Sequence, residues 1–117
     1  MAHKQTWVKV NARVDEEIAG LVETLSLFPK LQTIESCQGY GSRAAWVCFI
    51  YGECWEDLTQ FVCGYLGVRL AETVGDTASL SIHVSESGTI RGELSIRPGM
   101  IDATTSAIRQ LARRFTC

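Results

Sequence analysis

The chain alternates apolar and polar residues, repeats them at helical spacing, and then alternates again. Residues 6–12 are rich in β-formers and predict a strand. Asp15, followed by Glu16 and Glu17, offers a cap and an acidic first turn. Ile18, Leu21, Val22 and Leu25 then recur at the spacing of a helix face. Pro29 is expected to stop that helix after Phe28, because the residue before proline avoids the helical region. Residues 31–36 predict a second strand and residues 45–51 a third. In the third, Ala45, Val47, Phe49 and Tyr51 point one way, while Trp46, Cys48 and Ile50 point the other. Apolar residues on both sides predict a central strand covered on both faces.

Trp55, Leu58, Phe61, Val62, Tyr65 and Leu66 form the stripe of a second helix, with Gly67 placed to end it in a left-handed cap. Residues 80–97 predict a hairpin. Leu80, Ile82 and Val84 alternate with Ser81, His83 and Ser85, and Ser-Glu-Ser-Gly suits a short loop with Gly88 left-handed. That register puts Ile90, Gly92, Leu94 and Ile96 on the apolar face, His83 opposite Arg91, and Ser81 opposite Glu93. Ile101, Ile108, Leu111, Ala112 and Phe115 make a third amphipathic helix, and Arg109, Arg113 and Arg114 sit near its C-terminus, where the dipole favours cations. The order is β-α-β-β-α-β-β-α. It predicts an α+β fold with a mostly antiparallel sheet and helices on one face, ferredoxin-like or related. Such a fold hosts many functions and selects none.

Composition narrows the classes. A length of 117 residues fits a single domain spanning 1–117, and 46% hydrophobic residues can fill its core without disulfides. The formal net charge of -2 and pI near 5.6 disfavour broad binding to nucleic acid or an anionic membrane and leave a local basic patch open. The five cysteines, Cys37, Cys48, Cys54, Cys63 and Cys117, are odd in number and contain no Cys-x-x-Cys pair. That spacing speaks against a zinc ribbon or a thioredoxin-like pair. The N-terminus has no apolar h-region, and no apolar run nears the roughly 20 residues of a membrane span. The expectation is a cytoplasmic protein with free thiols, Cys48 buried and Cys117 the most accessible.

One segment departs from plain strand and helix patterning. Cys37 lies at the end of the second strand and is followed by Gln38-Gly39-Tyr40-Gly41-Ser42-Arg43. The two glycines permit positive φ and let backbone N–H groups converge, an arrangement that binds anions and lowers a thiol pKa. Ser36, Gln38, Tyr40 and Ser42 add hydrogen-bonding groups, and Arg43 adds charge. The segment reads either as a small-ligand pocket with a reactive thiol or as a hairpin loop with Cys37 as a small buried hydrophobe. It lacks the lysine of a phosphate-binding loop.

The stretch TIESCQG, residues 33–39, resembles the Thr-x-Ser-Ser-Cys-Ser-Gly stretch of the tRNA wybutosine-synthesizing protein family. Thr33, Ser36, Cys37 and Gly39 match. Glu35 and Gln38 replace serines, and Tyr40 stands where an arginine follows the family's glycine. The resemblance implies methylation of a tricyclic guanosine derivative in tRNA with S-adenosylmethionine as cofactor. Ser36 and Cys37 would then line the site, and His83 or Arg91 would contact substrate. The longer stretch VNARVDEEIAGLVETLSLFPKLQTIESCQG is similar to small uncharacterised proteins of bacteria and their phages, a likeness that implies no activity.

The polar face of the hairpin adds His83, Arg91 and Glu93, which suit either acid–base work and anion binding or ordinary cross-strand pairing on a wet sheet face. Glu53, Glu56 and Asp57 at the start of the second helix answer the dipole rather than form a metal site. Trp7 and Trp46 are candidates for base stacking or for packing. No catalytic residue and no metal ligand is singled out. The readings carried forward are a binding module using residues 36–43 and the adjoining sheet face for a small ligand or protein partner, a methyltransferase, and a structural homo-oligomer built through sheet edges.

Overall fold

The computed structural model describes residues 5–7, 13–15, 18–39 and 43–116. Two short strands, β1 (Gln5–Trp7) and β2 (Arg13–Asp15), pair antiparallel as a small sheet of their own. The first strand expected at residues 6–12 therefore lies partly outside the described residues, and its described part does not join the main sheet. A hairpin between neighbours in sequence closes the shortest loop and so costs the least entropy. Asp15 belongs to β2 and is not the residue in the helix cap position. Helix α1 spans Ala19–Leu25, with Ile18 in the cap position and no side-chain cap bond, while Glu16 and Glu17 lie outside the described residues. The helix also stops earlier than Pro29 requires. Ser26 N–H still bonds the Val22 carbonyl, but Leu27 and Phe28 donate to Thr24 and Leu25, three residues back, which tightens the last turn. That turn drops Phe28 fully into the core.

The main sheet holds β3 (Leu31–Cys37), β4 (Ala45–Tyr51), β5 (Ala78–Val84) and β6 (Ile90–Ile96) in the order β3-β4-β6-β5, antiparallel throughout. It is two hairpins joined through their inner strands. The α+β class and the antiparallel sheet are thus as the pattern predicts. The hairpin register also matches, with His83 opposite Arg91 and Ser81 opposite Glu93. Gly88 turns its loop at φ +85°.

Helices α2 (Trp55–Phe61) and α3 (Gly67–Val74) are joined without a break by a π-helical turn, Val62–Leu66. Gly67 does not end the helix. Its N–H reaches the Val62 carbonyl five residues back, at φ -61°. A Cβ at Gly67 would lie 2.6 Å from that carbonyl oxygen, so glycine is what admits the wide turn. Helix α4 (Ile101–Thr116) closes the chain. The helices share one apolar core with a single face of the sheet. Ala45, Val47 and Phe49 of β4 and Leu94 and Ile96 of β6 meet Leu21, Leu25, Phe61, Leu66, Ile108 and Leu111 there. Tyr65 Oη donates to the Leu111 carbonyl at 2.9 Å and ties the π turn to α4. Trp55, expected in the core stripe, is 58% exposed. The first turn of α2 overhangs the end of the sheet, and Trp55 borders a shallow cavity there with Ile90 and Gly88. No helix among the described residues is long and apolar enough to cross a membrane.

Candidate functional site

Strand β4 is central, as its sequence implies, but its second face is not covered by a helix among the described residues. That open face is where the predicted site residues have to be judged, and a single irregularity in β3 decides which of them reach it. Leu31 and Thr33 pair with Tyr51 and Phe49 and follow them toward the core. Strict alternation would then send Glu35 and Cys37 inward as well. Instead Ile34 is an extra residue: Glu35 pairs with Cys48, Ser36 with Val47 and Cys37 with Trp46. The bulge exchanges the faces of everything after it. Cys37 and Glu35 therefore stand on the open face, and Ser36 turns to the helical side.

Three parallel rows cross this face. Cys37, Trp46 and Ser95 form one, and Glu35, Cys48, Glu93 and Ser81 the next. Ile50 and the Arg91–His83 pair complete the third. Charged groups flank the apolar strip of β4. Arg91 Nη1 lies 3.9 Å from Glu35 Oε2, reaching across β4, and His83 Nε2 lies 3.7 Å from Glu93 Oε2. Ser81 Oγ and His83 Nε2 are 2.9 Å apart. Cys37 and His83 share the face without meeting, since their rows are four residues apart, about 13 Å along the strand direction.

The loop after Cys37 is described only at its ends. Gly39 has φ +78°, the left-handed region expected of it, and Arg43 is exposed. Tyr40, Gly41 and Ser42 lie outside the described residues, so the expected convergence of backbone amides does too. Gln38 is half-buried and engaged in contacts of its own. Of the predicted residues, the structure gathers Cys37, His83 and Arg91 on one face and separates Ser36 from them. The sequence places Trp46, Cys48 and Ile50 on one side of the strand and offers Trp46 for stacking, but does not join Glu35, Trp46, Cys48 and Ile50 into one surface with the predicted site residues. The outward half of the β4 alternation was a usable signal for the last three, whereas Glu35 depends on the bulge.

Cys48 is the chemically distinctive group here. Only 2% of it is exposed, and its Sγ–H donates to Glu93 Oε1 at 3.5 Å. Burial first, then the Glu93 hydrogen bond and charge, raise its pKa from 9.0 to about 11. This thiol is a protonated donor and not a nucleophile. Alkylation with iodoacetamide at neutral pH, read by mass spectrometry, is expected to mark the exposed Cys54 and Cys63 first and to spare Cys48. The four described cysteines, Cys37, Cys48, Cys54 and Cys63, are free thiols, and Cys117 lies outside the described residues. The same shift links stability to pH. The unfolded chain gives up the Cys48 proton near pH 9 and the folded chain only near 11. The contribution is therefore whole below pH 9 and is lost as pH climbs to about 11, on the order of 2 kcal/mol. Tyr51, whose phenol is also raised by burial and by Asp57, acts in the same direction at higher pH. Urea unfolding across pH 8–11 should show the decline, and Cys48→Ala should flatten its first part. No group of three or more metal-ligating side chains is assembled among the described residues. Comparison with protein-family models, with curated proteins and with solved structures finds no match.

Proposed function

We propose that this chain is a small binding module, and that it holds its partner on the open face of the four-stranded sheet together with the loop after Cys37. One observation carries this reading: the helices take one face of the sheet, and the other presents half-buried Trp46 and Ile50 around the buried Cys48, beside the Glu35–Arg91 ion pair and the His83–Glu93 contact. An aromatic and aliphatic centre with a charged margin is the make-up of a recognition surface. Cys48, held protonated, belongs to its packing, while half-buried Cys37 stands at its border. The free thiols fit a reducing compartment such as the cytoplasm.

Thiol footprinting tests this whatever the partner is. Cells that naturally produce the chain and the purified chain are treated briefly with N-ethylmaleimide. Labelling of Cys37 is then compared with that of Cys54 and Cys63, which lie off this face. Occupancy predicts slower labelling of Cys37 in cells, and Arg91→Ala or Trp46→Ala should remove the difference. Equal relative labelling in both settings would sink the proposal. Calorimetric titration with S-adenosylmethionine, in the parent and in Cys37→Ser, addresses the methyltransferase resemblance on the same face.

A further inference from the structure

A second concave site lies on the helical side, at the end of the sheet where β3 starts and β4 finishes. It is a cavity of about 230 Å³. Its walls are aromatic: Tyr51 from the last position of β4, and Phe61, Tyr65 and Phe115 from the helices. Tyr51 stacks flat on Phe61, with ring centroids 4.0 Å apart and planes 5° from parallel. Phe115 stands edge-on to Phe61 at 5.9 Å and keeps 38% of its surface exposed.

The rim is polar and carries both signs, Lys30, Asp57 and Gln60. Asp57 Oδ2 accepts a hydrogen bond from the Glu53 backbone N–H at 3.1 Å, which orients the carboxylate without using its second oxygen. Burial and the nearby Asp57 charge keep the Tyr51 phenol neutral, so it remains an O–H donor. Among the described residues, the Tyr51 hydroxyl, the Lys30 ammonium and the Gln60 amide have no hydrogen-bond or ion-pair partner. Unused donors and acceptors of both charges around stacked rings are the furnishings of a small-molecule site. The volume is below the roughly 300–1,000 Å³ of sites for drug-sized ligands, which limits the enclosed part of the occupant to one aromatic ring system.

We infer that this cavity binds a single planar aromatic group bearing an anionic substituent and an N–H donor. The ring lies against Tyr51 and Phe115, the anion meets Lys30 and the Tyr51 hydroxyl, and the donor meets Asp57. The Gln60 amide serves either edge. A mononucleotide and a free aromatic amino acid share this chemistry. The site is separate from the open sheet face and does not depend on it.

The test is a titration of ¹⁵N-labelled protein, once with adenosine monophosphate and once with L-tryptophan. A saturable shift of the Glu53, Asp57, Gln60 and Tyr65 amides with either probe supports the inference, and the probe that produces it identifies the source. Tyr51→Phe keeps the stack and removes the hydroxyl, and Lys30→Ala removes the cation at an exposed position. Each is expected to weaken binding about tenfold with the thermal midpoint little changed. The inference is overturned if neither probe gives a saturable shift at millimolar concentration, if the shifts fall only around Trp46 and Arg91, or if both variants bind as tightly as the parent.

Discussion

Phe61→Ala is expected to remove about 3–5 kcal/mol of folding stability, a large share of the roughly 5–15 kcal/mol that holds a domain of this size. Phe61 is 4% exposed and stands at the centre of an aromatic cluster. Its ring meets Phe28 edge-on at 5.0 Å, Phe49 at 6.4 Å and Phe115 at 5.9 Å, and stacks on Tyr51. These partners come from the turn after α1, from β4 and from α4, so one side chain joins three parts of the fold. Truncation leaves a cavity that the rigid rings around it cannot fill, which adds to the lost burial. Urea unfolding measures the loss. Trp55→Ala on the same helix is the control: with most of that ring in solvent, its cost should stay within about 0.5 kcal/mol. A loss below about 1.5 kcal/mol for Phe61→Ala would show that the cluster is not packed as described.

A second expected result concerns Gly92. It lies in β6 between Phe49 of β4 and Ile82 of β5. Glycine within a strand ordinarily weakens it. Here an added Cβ would lie 2.7 Å from Phe49 Cζ and 2.9 Å from Cε2, so the ring occupies the space a side chain would need. Phe49 is fully buried and has nowhere to retreat. Gly92→Ala should therefore destabilise by about 1–3 kcal/mol, despite alanine's lower backbone entropy cost. Phe49→Leu, which replaces the ring with a shorter side chain, should recover part of that loss when the two are combined. A double-mutant cycle with no coupling between the positions would refute the account.

The elements that can be read from sequence are those whose patterning repeats. β4 and the final hairpin alternate without interruption, and their faces follow at once from Ala45-Val47-Phe49 and Leu80-Ile82. The long stripe of α4 is equally legible. What escapes are features set by one residue. Nothing in Leu31-Gln-Thr-Ile-Glu-Ser-Cys37 announces that Ile34 is the extra residue, since a bulge costs little and its place is chosen by the partner strand. Yet that residue decides whether Cys37 faces the core or the open side. Gly67 misleads for a related reason. A glycine after an apolar stripe has the look of a helix end, and only the contact with the Val62 carbonyl shows that it widens the helix. The open face is half visible: apolar residues on both sides of β4 suggest two covering layers, whereas Trp46 and Ile50 are half-buried among charged neighbours. The aromatic pocket cannot be read at all, because Lys30, Tyr51, Gln60 and Phe115 are brought together only by tertiary packing.

The wide turn at Val62–Leu66 also bears on how this chain can change in length. Helix α2 packs on β4, and α3 packs on β5 and α4. Each residue of a helix advances the following side chains by about 100°, so the turn sets the rotation of α3 relative to α2. The wide turn holds one residue more than a regular helical turn, so losing that residue would restore a regular helix and leave Leu70 facing the core, whereas gaining another would swing Leu70 away from it. The tip of the β5–β6 hairpin carries no such constraint, since Glu86, Ser87 and Gly88 are exposed and nothing beyond the loop depends on their number. Insertions compatible with this fold should therefore accumulate at that tip and avoid the middle of the long helix, even though Cys63 and Gly64 there are just as exposed to solvent.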